Sequence, residues 1–394
     1  MAANQQGSGL TAAPLFTLIT GCCLFVTLEF LIVGLLPLLV PSYNRSLEEL
    51  GMLVSTFALS ASLAGPVITF YLSRWSTSRA LALCLAVAGF STMLTAFSSS
   101  FEVAIGCRMI QGAVLTAYIS IASSYAAFHA ASGQQGRAVG QINLGVVVSL
   151  VVIIPLGLSL SPWLGWQNIL LLLAVLCFVL VPITRHAIPI RHRVTMHTNV
   201  SNALLKPHFI LHLLLSLLVF TSMFVSYSYI SPWLLQLAGI TTNRIGVALF
   251  IFALAGLAGN EFASRLVEKK PLQTTVYITL LLGLVLLLLS QYAAPSAPAF
   301  LLFVFWGVAH MAAFVACQVR VMAAAPDAPA LAAALNISVC NLGIALGSFV
   351  GAKIIANYGL AALGPGFAAT GLIALLLSAI LACVQYQSSR ATSP

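Results

Sequence analysis

A chain of 394 residues that is 61% hydrophobic and 6% charged lies far from the soluble average of about one charged position in four, which excludes a water-soluble globule. Sixteen Lys and Arg against seven Asp and Glu leave a net charge of +9. In a soluble protein that balance would suggest nucleic acid; in a membrane chain it reports orientation, and no nucleic-acid partner is expected.

A hydrocarbon core about 30 Å thick takes about 20 apolar residues per helix, so a dozen spans would use roughly 240 positions. The first fourteen residues are uncharged and lack a signal-peptide pattern, so 1–15 reads as a tail and the first apolar run as a retained span. Twelve runs follow in order: 16–39, 50–72, 80–98, 102–128, 138–160, 167–184, 209–235, 245–266, 274–291, 298–322, 331–354 and 365–386. Continuous runs of this length exclude the alternating strands of a barrel and predict an all-α membrane protein with twelve transmembrane helices.

With the N terminus in the cytoplasm, twelve cations fall on that side: Arg74, Arg79, Arg137, Arg185, Arg191, Arg193, Lys206, Arg265, Lys269, Lys270, Arg320 and Arg390. Arg45, Arg244 and Lys353 fall outside, and Arg108 lies within a span. This positive-inside bias predicts that both termini are cytoplasmic. The hydrophilic stretch 185–208, with three Arg, one Lys and four His, reads as a basic cytoplasmic linker between six-helix bundles at 16–184 and 209–387; 388–394 is a C-terminal tail. A weak repeat links the halves, since Gly65 to Arg79 and Gly259 to Lys270 each place a Gly in a span and cations beyond its end. Two related halves suit an alternating-access transporter with a solute site near mid-membrane.

The eight Cys form no C-x-x-C pair and read as small apolar residues, so no metal site is expected. With no H-E-x-x-H, G-x-S-x-G or Walker-type loop, the chain is predicted to be neither an enzyme nor a pump powered directly by ATP, and to need no cofactor.

Ionisable groups inside spans are expensive and mark function by default. Glu29 lies about thirteen residues from one end of its span and about ten from the other, roughly 20 and 15 Å. Burial disfavours its charged form and a nearby cation favours it, so a mid-membrane Glu is poised to trade a proton. The competing reading is a permanent structural ion pair. Arg108 lies about six residues below the other end of span 4, about 6 Å from Glu29 along the membrane normal, within reach if spans 1 and 4 are neighbours. Otherwise it snorkels to the surface. Glu261 and Arg265 share one helix face at i, i+4 spacing and read foremost as a structural pair at the second hairpin. His310, mid-span, is either a solute partner or a satisfied core histidine. Gln111, Tyr118, Asn143, Tyr227, Tyr229, Asn336 and Asn341 are awkward against lipid and serve either a solute cavity or interhelical contacts.

Four stretches then resemble the major facilitator superfamily, in its twelve-span drug:proton antiporter branch, and most of all the sugar and arabinose efflux permeases. They are Glu29-Phe-Leu-Ile-Val-Gly34-Leu-Leu-Pro37, Arg108-Met-Ile-Gln111-Gly112, Tyr227-Ser-Tyr-Ile-Ser-Pro232, and the set Phe305-Trp306-Gly307, Gln318-Val-Arg320, Ala325-Pro326-Asp327 and Asn341-Leu-Gly343 through Gly347 and Gly351. The family pattern Gly-x-x-x-Asp-Arg-x-Gly-Arg between spans 2 and 3 becomes Thr69-Phe-Tyr-Leu-Ser73-Arg74-Trp-Ser76-Thr, which leaves gating to Arg74 and Arg79 alongside Glu261 and Arg265. The Arg expected after Gly165-Trp166 is Gln167.

The resemblance implies a major facilitator fold and a proton-coupled efflux transporter in a bacterial inner membrane, with Glu29 and Arg108 coupling protons to a small neutral or amphipathic solute. A sugar or polyol is the first choice. Efflux of amphenicol-like drugs or purine nucleosides by the same fold is the alternative, and a non-transporting sensor or scaffold is the reading from another class. The expected partners are the solute, protons and the bilayer, with the proton gradient as energy source and the protein a monomer.

Overall fold

The computed structural model describes residues 11–130, 135–188, 206–292, 296–326 and 328–391, with the side chains of all but 135–137, 329–330 and 385–391. Most of the expected N-terminal tail and linker (1–10 and 189–205, including Arg191 and Arg193), Asp327 and 392–394 lie outside the described residues, as do the side chains of Arg137 and Arg390.

Every element among the described residues is helical, and twelve helices are long and apolar enough to cross a membrane. They are α1 Ala12–Tyr43, α2 Leu47–Leu72, α3 Thr77–Phe97, α4 Phe101–His129, α5 Ala138–Leu164, α6 Trp166–Ala187, α7 Pro207–Gln236, α8 Thr242–Val267, α9 Pro271–Leu289, α10 Ala297–Ala323, α11 Leu331–Tyr358 and α12 Leu360–Val384. Each expected apolar run coincides with one of them to within a few residues.

The helix ends follow from local chemistry. Asn44 caps α1 in the left-handed region at φ 49°, and Ser46 and Glu49 form a reciprocal capping box at the start of α2. Prolines set the internal breaks. In α5 Pro155 has no N–H for the carbonyl of Val151, and the ladder slips to a π-turn over Ser149–Ile153, with the Ile154 N–H bonding the Ser149 carbonyl. Pro232 acts likewise on Ser228, and α7 divides into Pro207–Tyr227 and Ile230–Gln236.

The chain forms two compact units, residues 1–45 with 56–198, and 46–55 with 199–394. In the first unit α1 packs on α4, α5 and α6, α3 packs on α4 and α6, and α4 on α5. Adding six to every number reproduces the second: α7 on α10, α11 and α12, α9 on α10 and α12, and α10 on α11. These helix pairs, which do not include the two hairpins, thus share one packing scheme in the two units. Residues 46–55 group with the second unit through α11, where the Ser348 hydroxyl donates to the Gly51 carbonyl at 3.1 Å.

Close helix approach relies on small residues. Gly343, Gly347 and Gly351 recur every four residues along α11, and a methyl on any of them would overlap α7 near Leu217, Thr221 or Val225. α1, α4 and α7 enclose 72, 67 and 67% of their most apolar windows, whereas α12 encloses 28% and turns Leu372, Ile373, Leu376 and Ile380 outward. Such an outer face suits lipid.

Candidate functional site

In the first unit the charged pair is built from α1 and α4. Glu29 is near the middle of the 32-residue α1, and Arg108 lies in the third turn of α4, 2% exposed. The Arg108 guanidinium crosses to α1 and donates to the backbone carbonyls of Leu28 at 2.7 Å and Glu29 at 3.1 Å. It also donates to Gln111 Oε1 at 3.1 Å, and the Gln111 amide donates to Thr92 Oγ1 of α3 at 3.1 Å. The Phe57 ring of α2 lies 4.1 Å from the guanidinium carbon. Gly112 permits this approach, because a side chain there would strike the Phe57 carbonyl.

Adjacency of spans 1 and 4 is therefore present, and Arg108 is fastened to the α1 backbone at the turn that carries the acid. Glu29 is half-buried as a residue, its carboxylate lies within electrostatic reach of Arg108, and among the described residues that carboxylate makes no hydrogen bond or ion pair. Two residues earlier, Thr27 Oγ1 meets Ser149 Oγ at 2.8 Å and ties the same turn of α1 to the π-turn of α5. Gln111 is occupied by Arg108 and Thr92.

The other candidates separate by environment. The Tyr118 ring packs 4.8 Å from Phe25, and its hydroxyl donates to the Thr17 carbonyl at 3.4 Å; Tyr229 is equally enclosed and donates to the Ser348 carbonyl at 2.9 Å. Asn143 is exposed on α5. In the second unit, Asn336 Nδ2 donates to Gln318 Oε1 at 2.8 Å and Asn341 Nδ2 to the carbonyl of Ile337 in its own helix at 3.0 Å; both Oδ1 atoms are buried without a partner. Tyr227, half-buried, stacks on the enclosed His310 at 4.3 Å and 27°.

At the hairpins, Arg265 donates through Nε and Nη2 to Glu261 Oε1 at 2.9 and 2.6 Å, with both side chains well exposed. This is the i, i+4 pair that the spacing predicts. Arg74 is exposed over the Phe70 ring at 4.5 Å, Arg79 is exposed at the start of α3, and among the described residues neither has an acidic partner.

One residue requires a correction. Arg320, grouped above with the cations outside the spans, lies inside α10 and is 1% exposed. It donates to the His212 carbonyl at 3.0 Å and to Ser216 Oγ at 2.8 Å, and its Nη1 meets His212 Nδ1 at 2.9 Å. The expected run 298–322 already contained it, and that was the available signal. An ion pair between Arg45 and Glu102 at 2.9 Å was also not foreseen, because it joins residues 57 apart in sequence.

The family model of the Major Facilitator Superfamily matches residues 18–348. A protein named "probable sugar efflux transporter" from Mannheimia succiniciproducens is 27% identical over 355 residues, 89% of each chain. One of the same name from Helicobacter pylori is 27% identical over 382 residues, 95% of this chain and 96% of the other. Among solved structures, the nucleoside transporter NupG (D323A mutant) aligns with a TM-score of 0.75 at 13% identity, covering 94% of this chain and 99% of the other. A bacterial homologue of the human lysosomal transporter Spinster aligns with a TM-score of 0.72 at 17% identity over 96% of both chains. The chain belongs to the Major Facilitator Superfamily. It is a multi-pass membrane transporter and not an enzyme.

Proposed function

We propose that this transporter exports a small neutral or amphipathic solute, a sugar or related polyol first, in exchange for protons. It works by alternating access in a bacterial inner membrane, as a monomer with both termini in the cytoplasm. The names carried by the two relatives favour sugar efflux. One observation carries the coupling: Glu29 is an acid deep in α1 whose carboxylate is not consumed by a contact, while Arg108 is held on the same turn by the carbonyls of Leu28 and Glu29.

A carboxylate locked in an ion pair cannot exchange its proton without breaking that pair, whereas one facing a fixed cation at longer range can. In this cycle, protonation from outside neutralises Glu29 and releases solute, and deprotonation towards the cytoplasm restores the solute-ready state. Arg108 holds the α1 turn and supplies a constant positive field. The proton gradient is the energy source and no cofactor takes part.

Reconstitution in liposomes with an imposed pH gradient tests this. Glu29→Gln is expected to abolish uphill solute movement while retaining downhill exchange. Uphill transport by Glu29→Gln at the wild-type rate would sink the coupling.

A further inference from the structure

One face of α2 is apolar and turned outward. Leu59, Leu63, Val67, Phe70, Tyr71 and Trp75 are all exposed, and their recurrence every three or four residues places them on a single stripe. The opposite face is the one that packs. Thr116 Oγ1 of α4 donates to the Ala61 carbonyl at 2.8 Å, and a methyl on Gly65 would overlap the Thr116 side chain. In a membrane-spanning helix, an apolar face that no protein covers is covered by acyl chains.

The stripe ends in a cation. Arg74 lies in the turn that joins α2 to α3, with its guanidinium carbon 4.5 Å from the Phe70 ring centroid and 5.7 Å from that of Tyr71. Arg79, in the first turn of α3, is exposed as well. The sequence has no Asp or Glu between Glu49 and Glu102, and among the described residues neither arginine forms an ion pair. The hairpin of the second unit differs in this respect. There Phe262 and Leu266 are exposed beside Arg265, but the guanidinium is already paired with Glu261.

We propose that the end of α2 and its turn into α3 form a binding site for an anionic phospholipid. The headgroup phosphate pairs with Arg74, whose planar fork matches two phosphate oxygens, and Arg79 adds a second positive charge at the same end of the helices. The acyl chains run along the stripe from Trp75 towards Leu59, and the rings of Trp75 and Tyr71 stand at the headgroup level, where amphipathic rings are favoured. Phosphatidylcholine carries a quaternary ammonium beside its phosphate, which offsets the gain at two arginines with no acid of their own. Free phosphate would meet the charge and leave the stripe unused. Arg74 rests on Phe70, itself a member of the stripe, so charge and apolar face belong to one site and select a lipid. This site is independent of which solute the transporter moves.

Trp75 supplies the readout. The full chain is reconstituted in phosphatidylcholine vesicles in which a rising fraction of the lipid is replaced by phosphatidylglycerol with dibrominated acyl chains, or by phosphatidylcholine with the same chains, and quenching of tryptophan fluorescence by bromine is followed. The difference from Trp75→Phe, made in each variant, separates Trp75 from the other four tryptophans. Phosphatidylglycerol is expected to reach half-maximal quenching of Trp75 at a fraction about five-fold or more below that of phosphatidylcholine, the effect of one arginine at an anionic surface. Arg74→Gln is expected to lower this preference by about five-fold, and Arg265→Gln, in the paired hairpin, to leave it in place. Equal quenching by the two lipids, a full preference in Arg74→Gln, an equal loss in Arg265→Gln, or displacement of phosphatidylglycerol by millimolar inorganic phosphate overturns the proposal. Should Arg74→Gln not fold, the wild-type ranking of the two lipids and a reduced preference in Arg79→Gln decide it.

Discussion

Removing a guanidinium from water costs several kcal/mol, yet Arg108 and Arg320 are both enclosed. Each is compensated by directed acceptors on the first helix of its own unit. Arg108 takes two α1 carbonyls, and Arg320 takes the carbonyl of His212 and the hydroxyl of Ser216 on α7. The planar fork is what allows one side chain to reach several acceptors, and an ammonium lacks it. Arg320→Lys is therefore expected to lower stability by about 1.5–3 kcal/mol, the worth of one lost charge-assisted bond, read as a lower midpoint of thermal unfolding in detergent. Only part of this chemistry was legible in the sequence. Glu29 and Arg108 stood out because a charge in an apolar run is rare. Arg320 lies close to the end of its run and merged with the loop cations, and nothing local indicates that its acceptors lie more than 100 residues earlier.

At the scale of helices, glycine decides which backbones meet. Gly112 faces the Phe57 carbonyl of α2, whereas Gly106, six residues earlier in the same helix, has open space around it. Gly112→Ala is expected to destabilise by about 1–3 kcal/mol, since α2 must retreat from Arg108. Gly106→Ala should be neutral or stabilising by up to about 1 kcal/mol, because only helix propensity changes. Thermal unfolding of the two variants side by side checks the contrast. The Glu261–Arg265 pair offers a different comparison. With side chains 63 and 77% exposed, it contributes at most about 0.5 kcal/mol, so Glu261→Gln should leave the unfolding midpoint in place. A fall in transport rate at unchanged stability would assign the pair to gating, and an unchanged rate would leave it as a surface contact. The helix breaks show what sequence withholds at this scale. Pro155 and Pro232 are visible as helix breakers, but Pro155 yields a π-turn and Pro232 a full interruption, a difference that the residue type alone does not encode.

For the whole molecule, proton exchange makes the transport direction depend on the gradient. Raising the pH outside is expected to slow uphill efflux, because fewer Glu29 carboxylates are reprotonated from that side, and an ionophore that collapses the gradient should stop it. Flux assays in oriented vesicles measure both, and efflux indifferent to the gradient would argue for another energy source. The span count and the helical class were determined by the sequence alone. Both rest on a local quantity, the length of an apolar run against the thickness of the bilayer. The tertiary structure decided which faces turn inward. α1 and α12 have the same mean hydropathy of 2.5 over their most apolar windows, yet enclose 72 and 28% of them. Lipid tails and protein cores are equally apolar, so hydrophobicity marks a span without saying which side faces protein. That assignment, together with the partners of Arg108, Arg320 and His310, follows from contacts between helices distant in sequence.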